Sequence, residues 1–352
     1  MSGGVDSSVS AALLKRAGVD VIGVFMKFWS ESKKGESAGF NRCCSLEAER
    51  RARKVAKILK IPFYVFNFEK EFKKKVVDCF LKEYRAGRTP NPCVVCNKGI
   101  KFGLLLEKAL GLGADFVATG HYARKLETND KKQETRYRLL KGKDKEKDQS
   151  YFLWQLNQKQ LKHILFPAGG YAKSEVRKLA KKFKLPVFEA PESMEICFVQ
   201  TTINDFLKKY LKEKVGNIAD KRGKILGRHQ GLWFYTIGQR KGIGLADGPY
   251  YVLDKDFKKN LLIVTKNKND LYGKELIAKD INWILGKSLK LPLKIKVKIR
   301  YRHKPVSATI TKILKSNFCI LKFNRPQLAI TPGQSVVFYK NEEALGGGII
   351  LK

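Results

Sequence analysis

Ser2-Gly3-Gly4-Val5-Asp6-Ser7-Ser8 runs directly into Val9 to Lys15, a helix-compatible stretch that Gly18 can terminate. Two adjacent glycines carry no Cβ, so backbone amides there can approach an anion closely. Serine hydroxyls and the helix N-terminus add donors, and the segment reads as a phosphate cradle. Asp6 would repel a bare phosphate; its carboxylate suits a magnesium ion that bridges phosphates. An ordinary capped helix would account for one serine but not for the cluster.

Working outward from this loop, short apolar runs alternate with helical stripes. Val21 to Met26, Phe63 to Phe68 and Phe116 to Thr119 predict buried strands. Ala52, Val55, Ala56 and Leu59 recur at helical spacing, as do Phe72, Val76 and Phe80, and Ile100 and Leu104. This is the pattern of an α/β fold around a mostly parallel sheet with helices on both faces. Glu127 to Arg136 reads as a hairpin tip or loop, and Lys141 to Gln149 as a second charged loop. Beyond Asp205 glycine-rich turns separate short strand-like runs, and from about Ile277 the pattern is all β. The expected domains are 1–204, a small linking domain over 205–275 and a small C-terminal β-barrel over 276–352. In the last, Leu293, Ile295, Val297, Ile299 and Tyr301 alternate with Lys294, Lys296, Lys298 and Arg300, which predicts one strand with an apolar and a basic face. That basic face suits nucleic acid, or is simply solvated.

The chain has 352 residues, of which 43% are apolar, enough for several cores. Lys and Arg number 71 against 33 Asp and Glu, a formal net charge of +38, so the expected partner is a large polyanion, nucleic acid before an anionic membrane. A general lysine bias spread over solvated helical faces such as Lys73 to Lys75 is the blander source of the same excess. No run approaches the roughly 20 apolar residues of a membrane span, and the expected location is the cytoplasm. Seven cysteines, an odd number, argue for reduced thiols rather than a disulfide framework.

Two of those thiols stand out. Thr89-Pro90-Asn91-Pro92-Cys93-Val94-Val95-Cys96-Asn97-Lys98 joins an extended proline loop to a Cys-x-x-Cys placed just before a helix. A thiol near a helix N-terminus and Lys98 has its thiolate favoured. No second Cys-x-x-Cys or histidine pair follows, which argues against a structural zinc site. Cys197, in Met194-Glu195-Ile196-Cys197-Phe198, sits between apolar neighbours on an expected strand and taken alone reads as a core residue. Cys79 falls on an apolar face and reads as core; Cys43 and Cys44 receive no role. His163, His229 and His303 read as surface or hydrogen-bonded side chains.

The opening loop resembles the SGGxDS loop of PP-loop ATP pyrophosphatases, which cleave ATP between its α- and β-phosphates and adenylate a substrate. Ala118-Thr119-Gly120-His121-Tyr122, Lys147-Asp148-Gln149-Ser150, Ile196-Cys197-Phe198, Gly238-Gln239-Arg240-Lys241-Gly242, Thr331-Pro332-Gly333-Gln334-Ser335 and Gly346-Gly347-Gly348 follow in the order seen in bacterial and mitochondrial tRNA-specific 2-thiouridylases. The resemblance spans nearly the whole chain and implies an adenine nucleotide alpha hydrolase-like domain. It implies that Ser2, Gly3, Gly4, Val5, Asp6, Ser7, Ser8, Met26 and Gly120 contact ATP with magnesium. It implies that Cys96 is the nucleophile, that Cys197 carries sulfur as a persulfide, and that the two can join in a disulfide. Asn91, Pro92, Cys93, His121, Lys147, Asp148, Gln149, Arg300, Tyr301 and Gln334 are the implied tRNA contacts, and a cysteine desulfurase or a sulfur-relay protein the implied donor.

Two departures shape the expectations. In PP-loop proteins a strand precedes the loop, so the expectation is a start set at an internal Met1, or a sheet lacking a strand. Many relatives have aspartate at position 93, suited to a general base; Cys93 could fill that role only with a depressed pKa. With Cys96 and Cys197 it could instead ligate a [4Fe–4S] cluster, the alternative chemistry. Other classes weighed are a PP-loop ligase acting on small molecules, which needs no paired sulfur-handling cysteines, and a non-catalytic RNA-binding protein with a degenerate loop.

Overall fold

A computed structural model describes residues 1–31, 44–129, 134–189, 196–286, 290–314 and 317–352. Cys43, the hairpin tip at 130–133 and Met194-Glu195 lie outside the described residues.

The helix Val5–Arg16 begins inside the glycine loop, with Gly4 as its extended N-cap, and Gly18 follows its end at φ +80°. The strands Gly23–Lys27 and Phe63–Asn67 pair in parallel. The short strands Val117–Ala118 and Ile164–Leu165 form a second parallel pair. Strand alternation sends Phe25 to one face, where it meets Ala48 and Ala52 of the helix Leu46–Leu59, while Val24 and Met26 pack on the other against a core containing Phe72, Val76, Phe80 and Ile100. Helices therefore cover both faces, and Cys79 is partly buried beside that core.

Residues 203–265 place the helix Ile203–Tyr210 beside a four-stranded sheet ordered Ile225–His229, Gly216–Asp220, Leu261–Thr265, Tyr251–Asp256. One tie to the first domain is Lys255, whose ammonium donates to the carbonyls of Gly87 and Tyr235. Burial pulls the Lys255 pKa down to about 8. Replacing it by methionine strands two carbonyls away from water. Lys255→Met is expected to cost about 1–3 kcal/mol of stability, read as a fall in the denaturant midpoint at unchanged slope.

The strands Tyr272–Trp283, Phe318–Leu328, Val306–Leu314, Leu293–Lys298, Ser335–Lys340 and Glu343–Ile350 pair in that order, and the last closes back on the first to form a barrel. A hairpin from the first domain, Ala123–Asn129 with Thr135–Lys141, extends this sheet by pairing Leu140 and Leu139 with Glu343 and Ala344. Arg124 and Arg138 fasten it to Glu342 and Glu343. The hairpin expected near Glu127 to Arg136 is thus present, and it is shared with the barrel.

The basic strand needs correcting. Lys294 and Lys296 point outward as expected, but Lys298 is only 8% exposed, its ammonium 5.5 Å from the Tyr301 ring centre and 6.0 Å from that of Tyr151. Arg300 lies past the strand end and donates to Ala329 O and to Thr331 Oγ1, the latter at 2.9 Å. The alternation is broken at Lys298 by Tyr301 of the barrel itself and Tyr151 of the first domain, whose rings lie within cation–π reach of its ammonium.

Candidate active site

Gly3 takes φ +71° and passes so close to the next helix that a Cβ would stand 2.2 Å from Ala48 O. Only glycine fits there. The loop then folds on itself: Ser7 Oγ and Ser8 Oγ donate to Gly4 O at 3.2 and 2.8 Å, and Ser2 N donates to Ser7 Oγ at 3.1 Å. Ser8 is fully buried, so in this structure its hydroxyl holds the loop's shape rather than facing outward. Gly120, just after the strand Val117–Ala118, lies against the loop; a Cβ there would meet Asp6 C and Ser7 N at 2.7 Å. Met26 sits near the carboxyl end of its strand, where open α/β sheets bind ligands.

Asp6 has two partners that sequence reasoning missed. Its Oδ1 accepts from Tyr122 OH at 2.7 Å and from Lys173 Nζ at 2.6 Å. The Lys173 amide also donates to Asp144 Oδ2 at 2.9 Å, which ties the charged loop after Lys141 to the glycine loop. One signal was available: Lys173 is the first residue of the helix Lys173–Lys182, where a cation opposes the helix dipole. A loop of free amides with a carboxylate and an ammonium at its mouth fits a metal-bound polyphosphate.

The cysteine segment is more helical than expected. The helix starts at Pro92, the first-turn position proline favours, and runs from Pro92–Cys96 through the π-helical Asn97–Leu104 into Leu105–Gly111. Cys93 and Cys96 are therefore inside the helix, not before it. Cys93 is exposed; Cys96 is 8% exposed and belongs to the main core. Wide helical turns such as the one after Cys96 concentrate at functional sites. Asn97 is buried and donates to Phe152 O at 3.1 Å, which fixes the helix against the loop that follows Gln149.

Cys197 lies in a turn, closed by Val199 N to Ile196 O at 3.1 Å, and not on a strand. The apolar run that suggested a strand is explained by Phe198, whose ring packs 5.9, 5.3 and 5.4 Å from those of Phe72, Phe80 and Phe206. Half-buried Cys197 packs against the same core that contains Cys96, and both are thiols. Burial raises the pKa of Cys79 and pushes that of Cys319 up to about 12, which leaves both as unreactive thiols at neutral pH. Among the described residues no three His, Cys, Asp or Glu side chains gather as metal ligands, which gives the alternative [4Fe–4S] site on Cys93, Cys96 and Cys197 no support.

Several other expected contacts meet near the cysteine helix. Thr89 joins three segments: its amide donates to Pro332 O at 2.8 Å, its carbonyl accepts from Gln334 Nε2 at 2.9 Å, and its hydroxyl lies 3.1 Å from that of Thr236. Thr89, Thr236 and Gln334 line a cleft of about 310 Å³ together with Gln239 and Arg300. Tyr301 lies 4.4 Å from Phe152 with the two rings tilted, and burial, helped by Asp148, pushes its pKa up to about 12. Asn91 bonds to Tyr151. Gln149 pairs reciprocally with the Tyr122 backbone at 2.8 and 3.0 Å. Lys147 donates its amide to Asp144 at 3.2 Å. Asp148 is buried and accepts from the amides of Gly142 and Ser150 at 3.2 and 3.0 Å, closing its own loop. His121 is buried between Phe102 and Phe166 with Nδ1 2.8 Å from Thr119 Oγ1. Burial, helped by Lys101, holds its imidazole well below the usual histidine range, so it is neutral at neutral pH.

The loop, the parallel strands and the helices on both faces define an α/β domain of the PP-loop class, followed by a small sheet domain and a β-barrel. Family profiles agree along the chain: "tRNA methyl transferase HUP domain" matches residues 1–201, "tRNA methyl transferase PRC-barrel domain" 204–266 and "Aminomethyltransferase beta-barrel domain" 273–350. The tRNA-specific 2-thiouridylase MnmA 2 of Thermoanaerobacter sp. (strain X514) is 50% identical over 99% of this chain and 96% of its own length. Relatives bearing the same name in Carboxydothermus hydrogenoformans and Geobacter metallireducens are 47% and 48% identical over 100% and 99% of the chain, and 96% and 95% of their own. The chain belongs to the tRNA-specific 2-thiouridylase family.

Proposed function

We propose that this chain uses ATP to replace the C2 oxygen of the wobble uridine in tRNA by sulfur, with the Lys, Glu and Gln acceptors as substrates. The observation that carries the reading is the packing of Cys96 and Cys197 on one core, in a chain that also holds an intact phosphate loop and is matched by these relatives from end to end. The C2 oxygen of uridine is a poor leaving group. Attack of that oxygen on the ATP α-phosphate expels pyrophosphate and converts it to an adenylate.

Cys197 carries the incoming sulfur as a persulfide supplied by a cysteine desulfurase or a relay protein. Its terminal sulfur adds to C2 and AMP leaves. Cys96 attacks Cys197 Sγ, breaks the persulfide S–S bond and releases 2-thiouridine; the resulting Cys96–Cys197 disulfide is reduced by an external thiol. Asp6 is the residue that would hold magnesium, and the ion would supply charge to offset the departing pyrophosphate. Lys173, whose ammonium lies on Asp6 at 2.6 Å, is placed at the loop to bind a phosphate oxygen. Lys173→Met is expected to raise the KM for ATP about 10- to 100-fold, the worth of one charged hydrogen bond, measured by pyrophosphate release.

The relay is favoured over a [4Fe–4S] cluster because Cys93 is exposed while Cys96 on the same helix is buried. Protein reconstituted with iron and sulfide is expected to stay colourless. Asn91, Cys93, Tyr301 and Gln334 frame the approach of the target base, and Lys147 and Gln149 flank it. Incubation with ATP, magnesium, a sulfur donor and unmodified tRNA tests the whole reading: AMP and 2-thiouridine are expected together. AMP without thiolated tRNA would assign a different substrate, and neither product would leave only a binding module.

A further inference from the structure

A second basic surface lies on the barrel, away from the cysteines. Lys294 and Lys296 stand two residues apart on one strand, about 6–7 Å along it, on its outward face. Their cross-strand partners are Thr309 and Ser307, and Lys296 also faces Tyr339. Lys340 follows at the strand end, and Lys141 arrives from the inserted hairpin with its ammonium 4.5 Å over the Tyr339 ring and 3.0 Å from Asn341 O. Together these side chains line a groove of about 470 Å³.

The groove's charge is uncompensated. Among the described residues none of the four ammonium groups has a carboxylate within ion-pair distance. Glu342 and Asp148 influence Lys141, but Glu342 is engaged by Arg124 at 2.6 Å and Asp148 is buried under two backbone amides. Four positive charges cost self-repulsion, which Lys141 registers as a pKa lowered first by burial and also by Lys296. Lysines interleaved with hydroxyls are the donor set that contacts phosphate and ribose without reading bases. Tyr339, the groove's floor, lies 3.2 Å by its hydroxyl from Ser150 Oγ, next to Gln149. Both side chains are fully buried, so the strand beneath the groove packs directly against the start of the segment that follows the loop expected to meet the substrate.

We propose that this groove binds the ribose-phosphate backbone of the tRNA substrate, carrying it from the 147–149 loop across the hairpin onto the barrel. The inference rests on tRNA being the substrate. The test compares full-length Lys294→Ala/Lys296→Ala/Lys340→Ala protein with a control triple, Lys57→Ala/Lys60→Ala/Lys258→Ala, which removes the same charge from exposed positions elsewhere. Binding of unmodified tRNA is measured across a salt series. The groove triple is expected to raise Kd at least about 10-fold and to reduce the slope of log K against log salt by about 2–3, as loss of three phosphate contacts requires; the control triple changes both much less. Equal effects of the two triples, or no effect of the groove triple, would overturn the proposal. So would unchanged tRNA affinity with lost binding to phosphatidylserine vesicles, which would make the surface a membrane contact. If the wild-type chain neither binds nor thiolates tRNA, the functional reading fails instead, before the groove is tested.

Discussion

Cys96→Ser is expected to lower tRNA thiolation by about 10³-fold or more while the protein stays folded and binds tRNA as before. Serine is close to cysteine in volume, so the core around Val94 and Ile100 keeps its shape. Its hydroxyl cannot open a persulfide S–S bond under these conditions, whereas a thiolate can. Position 96 is nearly covered, so few phosphate contacts are at stake, and those dominate affinity for nucleic acid. Thiolation is read by mass spectrometry of digested tRNA and affinity by filter binding. A loss of affinity as large as the loss of thiolation would contradict the role. With ATP and tRNA this variant should stop at the adduct in which C2 of the uridine is joined through the transferred sulfur to Cys197 Sγ, because the step that opens that S–S bond is blocked.

Cys197→Ser should be equally inactive for a different reason: no sulfur is loaded. After exposure to a cysteine desulfurase and cysteine, the peptide containing residue 197 gains one sulfur atom in wild-type protein and in Cys96→Ser, and none in Cys197→Ser. The turn around Cys197 is anchored by the Phe198 ring cluster, so the fold should survive the change. Sulfur retained on Cys197→Ser would move the acceptor role to another thiol, with half-buried Cys44 the nearest alternative on the same core.

These expectations draw on parts of the molecule that the sequence reveals unevenly. Gly3 announces its loop because only glycine tolerates φ +71° under the Ala48 carbonyl, a local demand that leaves a local mark. The stripes at Ala52, Val55 and Ala56, and at Phe72, Val76 and Phe80, were legible because burial imposes helical spacing. Cys197 was misread because Phe198 is buried by rings from distant helices, and a buried turn and a buried strand share the same apolar composition. The helix at Pro92 could have been found from proline's preference for the first turn. Lys173 and Tyr122 meet Asp6 across 167 and 116 residues, and the hairpin joins the barrel across some two hundred; no local pattern encodes such partners. Lys298 shows the reverse, a clear alternation overruled by two aromatic rings, one of them from another domain.

The most direct test of the account is a single turnover with labelled sulfur. The protein is loaded from a cysteine desulfurase and radiolabelled cysteine, freed of donor, and mixed with ATP, magnesium and unmodified tRNA. The label should pass from Cys197 to tRNA as 2-thiouridine, with one AMP formed for each uridine thiolated and a Cys96–Cys197 disulfide left behind. Label that stays on the protein while AMP forms, or that reaches tRNA without ATP, would contradict it.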